Sequence, residues 1–378
     1  MNDAIAVLYQ GGPVPPVGGV FKPMKLGGYR DSGADIAFAL RSRGRRVITP
    51  NKHPDPTNDA DWSYPDSAEG IAAAIRSGAT VLWANTVLWD KHPLRAAFDA
   101  GVGVIGQPPD LVERFDDKAE ANGLLARHGL PAPRSALVGH GRPDVIPPEQ
   151  FTSEMVGGFP AVVKPIRGRG SQGVSRVGSI PELLSAVQQL TTARANYDGV
   201  EYPSYGTAAI VEEYLPGEEC TVAVLPPGEY RVGGIERRFA GYWSLPAVVR
   251  KGHVSGIVPY SGVEAVSQNS AVAVGIFERL AEACVTAAEL VGPRAAVRID
   301  CRQDAGGQWR LFDLNLKPNL TGQGRPGRED ANGLVALAAR AIGWDYPLLI
   351  ENLAKQRWFA GEQRSAEPSG AADDRRRR

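Results

Sequence analysis

The chain of 378 residues has little cysteine: Cys220, Cys284 and Cys301 only. They are odd in number, far apart in sequence and without the paired spacing of a metal site. That excludes a disulfide framework and fits a reduced, cytoplasmic protein. No charge of one sign predominates, since Lys plus Arg and Asp plus Glu are 42 each. No net field therefore draws the chain to nucleic acid or to a membrane surface, and neither is expected as a partner. No apolar run is long enough to span a bilayer. The opening MNDAIAVLYQGG lacks the basic start and apolar stretch of a secretory leader. No G-x-G-x-x-G follows the first strand-like run, which leaves a dinucleotide fold with little support. No internal repeat is visible. What remains, 43% apolar and 22% charged residues, is an ordinary globular composition, with length for two or three packed units.

The first third alternates short apolar runs with amphipathic stretches. Strands are expected at 4–9, 45–50, 80–85 and 102–107, and helices at 32–44 and 67–78, which argues a parallel sheet. A helix is expected over 110–129, then a small α/β unit built from SALVG, AVVKP, VSRV and a helix capped by Ser179. Residues 195–206 read as a polar linker. Strands AAIVEEYL, CTVAVL and RVGGIERRF follow, then one long helix over 267–292, two strands and helical material over 329–356. The tail SAEPSGAADDRRRR has nothing to bury and reads as disordered, its arginines as a solvated end.

Two segments carry chemistry. In AAVRIDCRQDAGGQWRLFDLNLKPN (295–319), a two-residue turn at Gly306-Gly307 would put Val297, Ile299, Cys301, Phe312, Leu314 and Leu316 on one apolar face. The other face carries Arg298, Asp300, Asp313 and Asn315, with Asp300 opposite Asp313 and Arg298 opposite Asn315. Opposed carboxylates repel unless a cation lies between them, and carboxylates with an amide suit Mg²⁺. The alternative is a solvent-facing strand pair. In VVKPIRGRGSQGVS (162–175), Lys164 ends a β-branched run and the glycines fill the turn after it. Glycines let backbone N–H groups approach phosphate closely, and the lysine adds a point charge. The alternative is an ordinary hairpin loop. Between them, IVEEYLPGEEC runs an apolar strand into carboxylates and a Pro-Gly turn, either a nucleotide-contacting connector or a charged strand edge.

These motifs, with Lys118 in DDK and LARHGLPAPRS, follow one another as in the ATP-grasp ligases. The sequence resembles most the D-alanine–D-alanine ligase branch of carboxylate–amine ligases, over roughly residues 102–340. The resemblance implies an α/β ATP-grasp fold: a parallel N-terminal pre-ATP-grasp domain (1–110), a small α+β lid (111–208), a C-terminal α+β unit with an antiparallel sheet and the metal site (209–355), and a disordered tail (356–378). It implies ATP and two Mg²⁺, for which Mn²⁺ can substitute. Lys118 and Lys164 would hold the phosphates, with Gly170, Ser171 and Gly173 in the lid loop. Glu212, Glu213 and Leu215 would meet the adenine, and Glu219 the ribose. Asp300, Asp313 and Asn315 would carry the metal, and Arg298 would stabilise the developing charge. The branch often dimerises. Three positions depart from it: Asp313 replaces a glutamate, Gly170-Ser171 a Ser-Ser pair, and Asn319 a glycine that accompanies D-alanine as substrate.

The implied activity is amide or peptide bond formation through an acyl phosphate, releasing ADP, on amino acids or small peptides, in specialised metabolism. The rival readings are an ATP-grasp kinase that leaves phosphate on a hydroxyl, and a scaffold that binds nucleotide without turnover. Lys317, with Arg325 and Arg328, could grip substrate carboxylates; surface solvation is the alternative for the two arginines. Tyr29 and Arg30 are weaker candidates. Trp83 and Trp89 are expected in the core, and His253 in a loop.

Overall fold

Five short strands begin the fold, three of them (residues 4–9, 81–85 and 103–105) apolar and almost wholly buried. They are β1 (Ala4–Tyr9), β2 (Arg46–Val47), β3 (Tyr64–Pro65), β4 (Val81–Asn85) and β5 (Gly103–Ile105). They pair in parallel in the order β2-β1-β4-β5, with β3 also on β1. The structure is a computed structural model that describes residues 3–362, apart from 22, 23, 25, 142, 169, 170, 254–269 and 274–276. Helices α1 (Arg30–Ser42), α2 (Ala68–Arg76) and α3 (Arg95–Asp99) accompany this sheet. Ser67 starts α2 by accepting from Gly70 N.

The stretch expected as one helix over 110–129 is two, α4 (Pro109–Phe115) and α5 (Lys118–Arg127). Asp117 breaks the run because its carboxylate accepts from Ala119 N and Glu120 N, which makes it the cap of a new helix. A second, smaller sheet contains β6 (Ser135–Gly139), β7 (Ala161–Pro165) and β8 (Ser175–Val177). Helix α6 (Ile180–Thr192), capped by Ser179, covers it. Residues 195–206 are not a plain linker: β9 (Arg194–Tyr197) and β10 (Val200–Pro203) form a hairpin. Next, β11 (Ala208–Glu213) inserts between β6 and β7, giving the antiparallel order β6-β11-β7-β8. This sheet has its own core, with Val138, Phe151, Leu183 and Val211 among it.

The second antiparallel sheet holds β12 (Glu219–Leu225), and after the hairpin β13 (Gly228–Val232)–β14 (Ile235–Phe239) come β15 (Trp243–Ser244), β16 (Val248–Arg250) and β17 (Ser270–Val272). The long helix expected over 267–292 is therefore shorter. Ser270–Val272 pairs with β16, the remainder forms α7 (Glu278–Val291), and residues 267–269 and 274–276 lie outside the described part. The alternating SAVAV suits a strand as well as a helix, and the open sheet edge takes it. Strands β18 (Val297–Gln303) and β19 (Trp309–Asn315) complete the order β17-β16-β12-β18-β19. Helices α8 (Leu334–Arg340) and α9 (Tyr346–Ala354) then return to α1.

The parallel sheet and this second sheet share their cores. The tail begins later than expected. Trp358 is buried and exchanges two backbone hydrogen bonds with Val104 on β5, so the chain is built into the fold past residue 356. The arginine run lies outside the described residues. Among the described residues, no helix is long and apolar enough to cross a membrane.

Candidate active site

Asp300 and Asp313 are direct partners across β18–β19, as are Arg298 and Asn315. The turn that achieves this is not the two-residue one expected. Gln303 pairs with Trp309, so residues 304–308 make the loop, organised by Asp304, whose Oδ1 accepts from Gly306 N and Gln308 N. That loop alone would misalign the carboxylates by one residue. The register shifts back between Asp300 and Cys301, where β19 carries one extra residue, Phe312. Leu311 takes the core position expected for Phe312, and Phe312 is left half-buried. Its carbonyl accepts from Lys164 Nζ at 3.2 Å, and the Lys164 ammonium stands 5.6 Å from the centre of its ring.

Cations converge on the two carboxylates. Lys118, in the first turn of α5, donates to Asp313 Oδ1 at 2.6 Å. Arg298 grips Asp300 with both ends of its guanidinium, at 2.9 and 2.8 Å, and Thr221 on β12 donates to Asp300 Oδ1 at 2.7 Å. Burial resists charge on Asp313, Lys118 and Arg298, but the pairing overrides it. Asp313 is held below the ordinary carboxylate range by Lys118 and Lys164, and its own charge lifts the Lys118 pKa. Asp300 likewise lifts that of Arg298. Lys164 is buried on β7, with its Nζ 2.7 Å from Glu212 Oε2 on β11. Glu212 also accepts from Asn122 of α5 at 2.7 Å.

Glu213, one residue on along an alternating strand, turns to the other face. There Arg134 holds it with its backbone N–H and both ends of its guanidinium, so its side chain does not join the cluster as expected. Leu215 is buried below the connector. Glu219, at the start of β12, is buried, with His253 Nε2 at 2.9 Å and Arg302 Nη1 at 3.7 Å. His253 is thus a partner of an expected nucleotide carboxylate rather than an incidental loop residue.

The Lys164 loop spans 166–174 between the paired strands β7 and β8. Its base is pinned, since Ile166 O accepts from Lys118 N and Arg167 donates to Glu113 O. Ser171 has φ 60°, a conformation uncommon for a residue with a side chain. Gly173 has φ 71°, and a Cβ there would come within 2.8 Å of Leu190, so the glycine is dictated by packing as well as by turn geometry. Gly170 lies outside the described residues.

Arg325 is buried and Arg328 half-buried, so neither is a freely solvated surface cation. Both bind Asp35 of α1, at 2.7 Å for Arg325 Nε and 2.9 Å for Arg328 Nη2, and Asp35 also accepts from Thr321. Lys317, the third of these cations, turns to β4 and the segment before α1. Its Nζ donates to Asn85 Oδ1 at 2.9 Å and lies 3.5 Å from the centre of the Tyr29 ring. Trp83 is core, as expected.

Arg250 escaped the sequence reading. It pairs in register with Glu219, and its Nε is buried without a hydrogen-bond partner among the described residues. Burial lowers its pKa despite the attraction of Asp300. No local pattern marks it, because its neighbours come from strands far away in sequence. A buried guanidinium nitrogen without an acceptor is what a bound phosphate would complete. Among the described residues, no three His, Cys, Asp or Glu side chains cluster as a metal cage. Two opposed carboxylates with an amide oxygen beside them fit Mg²⁺ instead, which takes few protein ligands and completes its shell with phosphate and water.

Comparison with known proteins agrees with this architecture. The family described as an ATP-grasp domain matches residues 157–241. A D-alanine–D-alanine ligase of Stutzerimonas stutzeri is 29% identical over 251 residues, 65% of this chain and 66% of that protein. One from Ectopseudomonas mendocina is 30% identical over 240 residues, 62% of this chain and 63% of that protein. The chain thus spans just under two thirds of these relatives' length. Among solved structures, the D-alanine–D-alanine ligase of Bacillus anthracis complexed with ATP superposes with a TM-score of 0.62 at 14% identity, covering 94% of this chain and 96% of that one. The VanG D-Ala:D-Ser ligase of Enterococcus faecalis gives 0.62 at 16% identity, covering 94% and 99%.

Proposed function

Because the chain is an ATP-grasp protein of the D-alanine–D-alanine ligase-like branch, we propose that it is an ATP-dependent carboxylate–amine ligase acting on small molecules. The observation that carries this reading is the Asp300–Asp313 pair with Asn315 beside it, surrounded by Lys118, Lys164 and Arg298. When bound, ATP and Mg²⁺ supply the phosphoryl group and the shielding charge that convert a carboxylate into an acyl phosphate.

In this reading Asp300, Asp313 and Asn315 hold the metal. Lys118, Lys164 and Arg250, whose Nε has no hydrogen-bond partner among the described residues, hold phosphate oxygens. Leu215 and the Phe312 ring offer apolar contact to the base, and Glu219, oriented by His253, receives the ribose hydroxyls. The loop 166–174 covers the phosphates and keeps water from the activated acid. Its Ser171 and Gly173 supply the hydroxyl and the turn, with Gly170 between Gly168 and Ser171 in sequence. An amine nitrogen then attacks the acyl carbon, the C–O bond to phosphate breaks, and Arg298 stabilises the oxyanion of the tetrahedral stage. The products are amide, ADP and phosphate.

The test is ADP formation from Mg-ATP with a panel of amino acids and hydroxylamine. A hydroxamate is expected with the right acid. Phosphate retained on a hydroxyl product would instead make the protein a kinase. Asp313→Ala should lower turnover by about 100-fold or more while leaving the fold intact. Near-normal turnover in that variant would remove Asp313 from the metal site.

A further inference from the structure

The sheet β6-β11-β7-β8 has a core of its own, whereas the parallel sheet and the sheet of β12, β18 and β19 share theirs. The candidate site lies between these two units, since Lys164 of β7 reaches Phe312 O of β19. A nucleotide held there has to enter and leave by their separation. A segment with no part in the proposed chemistry crosses the same gap. After β1 the chain runs through PVPPVGGVF (13–21). Its near end is fixed to the parallel sheet, with Gln10 N donating to Gly28 O and Gly11 N to Asp66 Oδ1, both at 2.9 Å. Three prolines stiffen this arm. Gly18-Gly19, with φ of 59° and 77°, make a two-residue turn that glycine takes without strain. Val17 and Val20 close that turn with two backbone hydrogen bonds, at 3.0 and 3.1 Å.

The far end lies on the other unit. Phe21 N donates to Pro203 O at 3.0 Å, and the Phe21 ring stands 5.1 Å from that of Tyr197. Tyr202 meets Tyr197 edge-on at 6.5 Å. Pro203 and the tyrosines belong to the hairpin β9–β10, which leaves α6 and returns into β11, so both its ends are built into the smaller sheet and its helix. Residues 11–20 are exposed or half-buried and Phe21 is buried, so the ring is the anchor. We infer that the arm is a latch: Phe21, seated against Tyr197 and Pro203, holds the smaller sheet over the site, and nucleotide exchange requires it to unseat. The inference rests on the reading that nucleotide binds between Lys164 and the Asp300–Asp313 pair. One aromatic pair with one backbone hydrogen bond is strong enough to hold a hinged unit and weak enough to open at each turnover.

The test is the release of a fluorescent ADP analogue bound with Mg²⁺, followed by stopped flow after a chase of unlabelled ATP. Phe21→Ala and Tyr197→Ala should each speed release by about 10-fold or more. Association should quicken too, so the dissociation constant moves less than either rate. The double variant should release no faster than the quicker single one, because either change alone opens the latch. Val200→Ala, at an exposed position of the same hairpin, should leave release unchanged. If it matched Tyr197→Ala, the effect would be a general loosening of the hairpin and the latch would be refuted. A merely structural role would lower the melting temperature and leave both rates at the parental value, which in folded variants also overturns the inference. Should Phe21→Ala fail to fold, Tyr197→Ala decides alone. If the parent binds no nucleotide at all, the nucleotide site itself fails and the latch falls with it.

Discussion

Lys118 and Asp313 are 195 residues apart in sequence and 2.6 Å apart in the fold. Their pairing sets a pH dependence that can be measured without substrate. The folded pKa of Asp313 is depressed, so the stability it contributes is present above the ordinary aspartate value of about 4 and is lost as pH falls through its lower folded value. Lys118→Met removes one of the two lysines that hold the carboxyl down. Acid destabilisation should then begin at higher pH than in the parent, which melting curves between about pH 3 and 6 would register. An unchanged acid limb would mean that Lys164 and Arg298 suffice. At this scale local patterns in the sequence picked out Asp300, Asp313, Asn315, Arg298 and Lys164, whereas Lys118 came only with the resemblance to the ATP-grasp ligases. Asn122, Thr221, Arg250 and His253 were hidden, since each acts on a residue from another strand or helix.

The hairpin and the lid loop show how elements correct one another. The register of β18 and β19 came out of the sequence correctly at the metal face although its turn did not. The longer turn displaced the strands by one residue, and the bulge at Phe312 restored them. Alternation alone cannot reveal a bulge, because RLFDLNL contains apolar residues at 311 and 312 in succession and either can face the core. The bulge also gives Lys164 a carbonyl acceptor. In the loop, Gly173→Ala should cost about 1–3 kcal/mol, from the positive φ and the contact with Leu190. The loss should appear as greater hydrogen exchange in β7, β8 and α6, with the C-terminal sheet unaffected. A variant as protected as the parent would show that the loop bears no strain there.

Across the whole molecule, Asp35 ties the segment after β19 to the first helix of the N-terminal sheet. Its side chain is fully buried, Arg325 is nearly so, and Arg328 completes the pair. Without Asp35, Arg325 keeps Asp59 at 2.7 Å and Arg328 keeps Asp31 at 3.5 Å, so Asp35→Ala should destabilise the protein by about 1–3 kcal/mol in denaturant unfolding, the cost of buried hydrogen bonds left unmade. A loss below about 1 kcal/mol would mean that water enters and solvates the arginines. The sequence separation here exceeds 280 residues, which is why two arginines next to the metal strand read as substrate-facing or solvated. The shared core of the two large sheets was equally out of reach, whereas the alternation of strands and helices in the first third was open to view.

Cys220, Cys284 and Cys301 come together in the core directly behind the strands that bear Glu219 and Asp300, with Cys284 and Cys301 Sγ 3.7 Å apart. Burial, with the neighbouring thiols, pushes the Cys301 thiol well above its usual range. The folded chain therefore carries its own chemical clock. An aromatic disulfide reagent should count no fast-reacting thiol in the native protein and all three in denaturant. In dilute buffer the slow rate of thiol release measures how often the sheet beneath the active site opens. If ATP and Mg²⁺ bind the face above, that rate should fall with their concentration, which turns the three sulfur atoms into a label-free gauge of nucleotide binding.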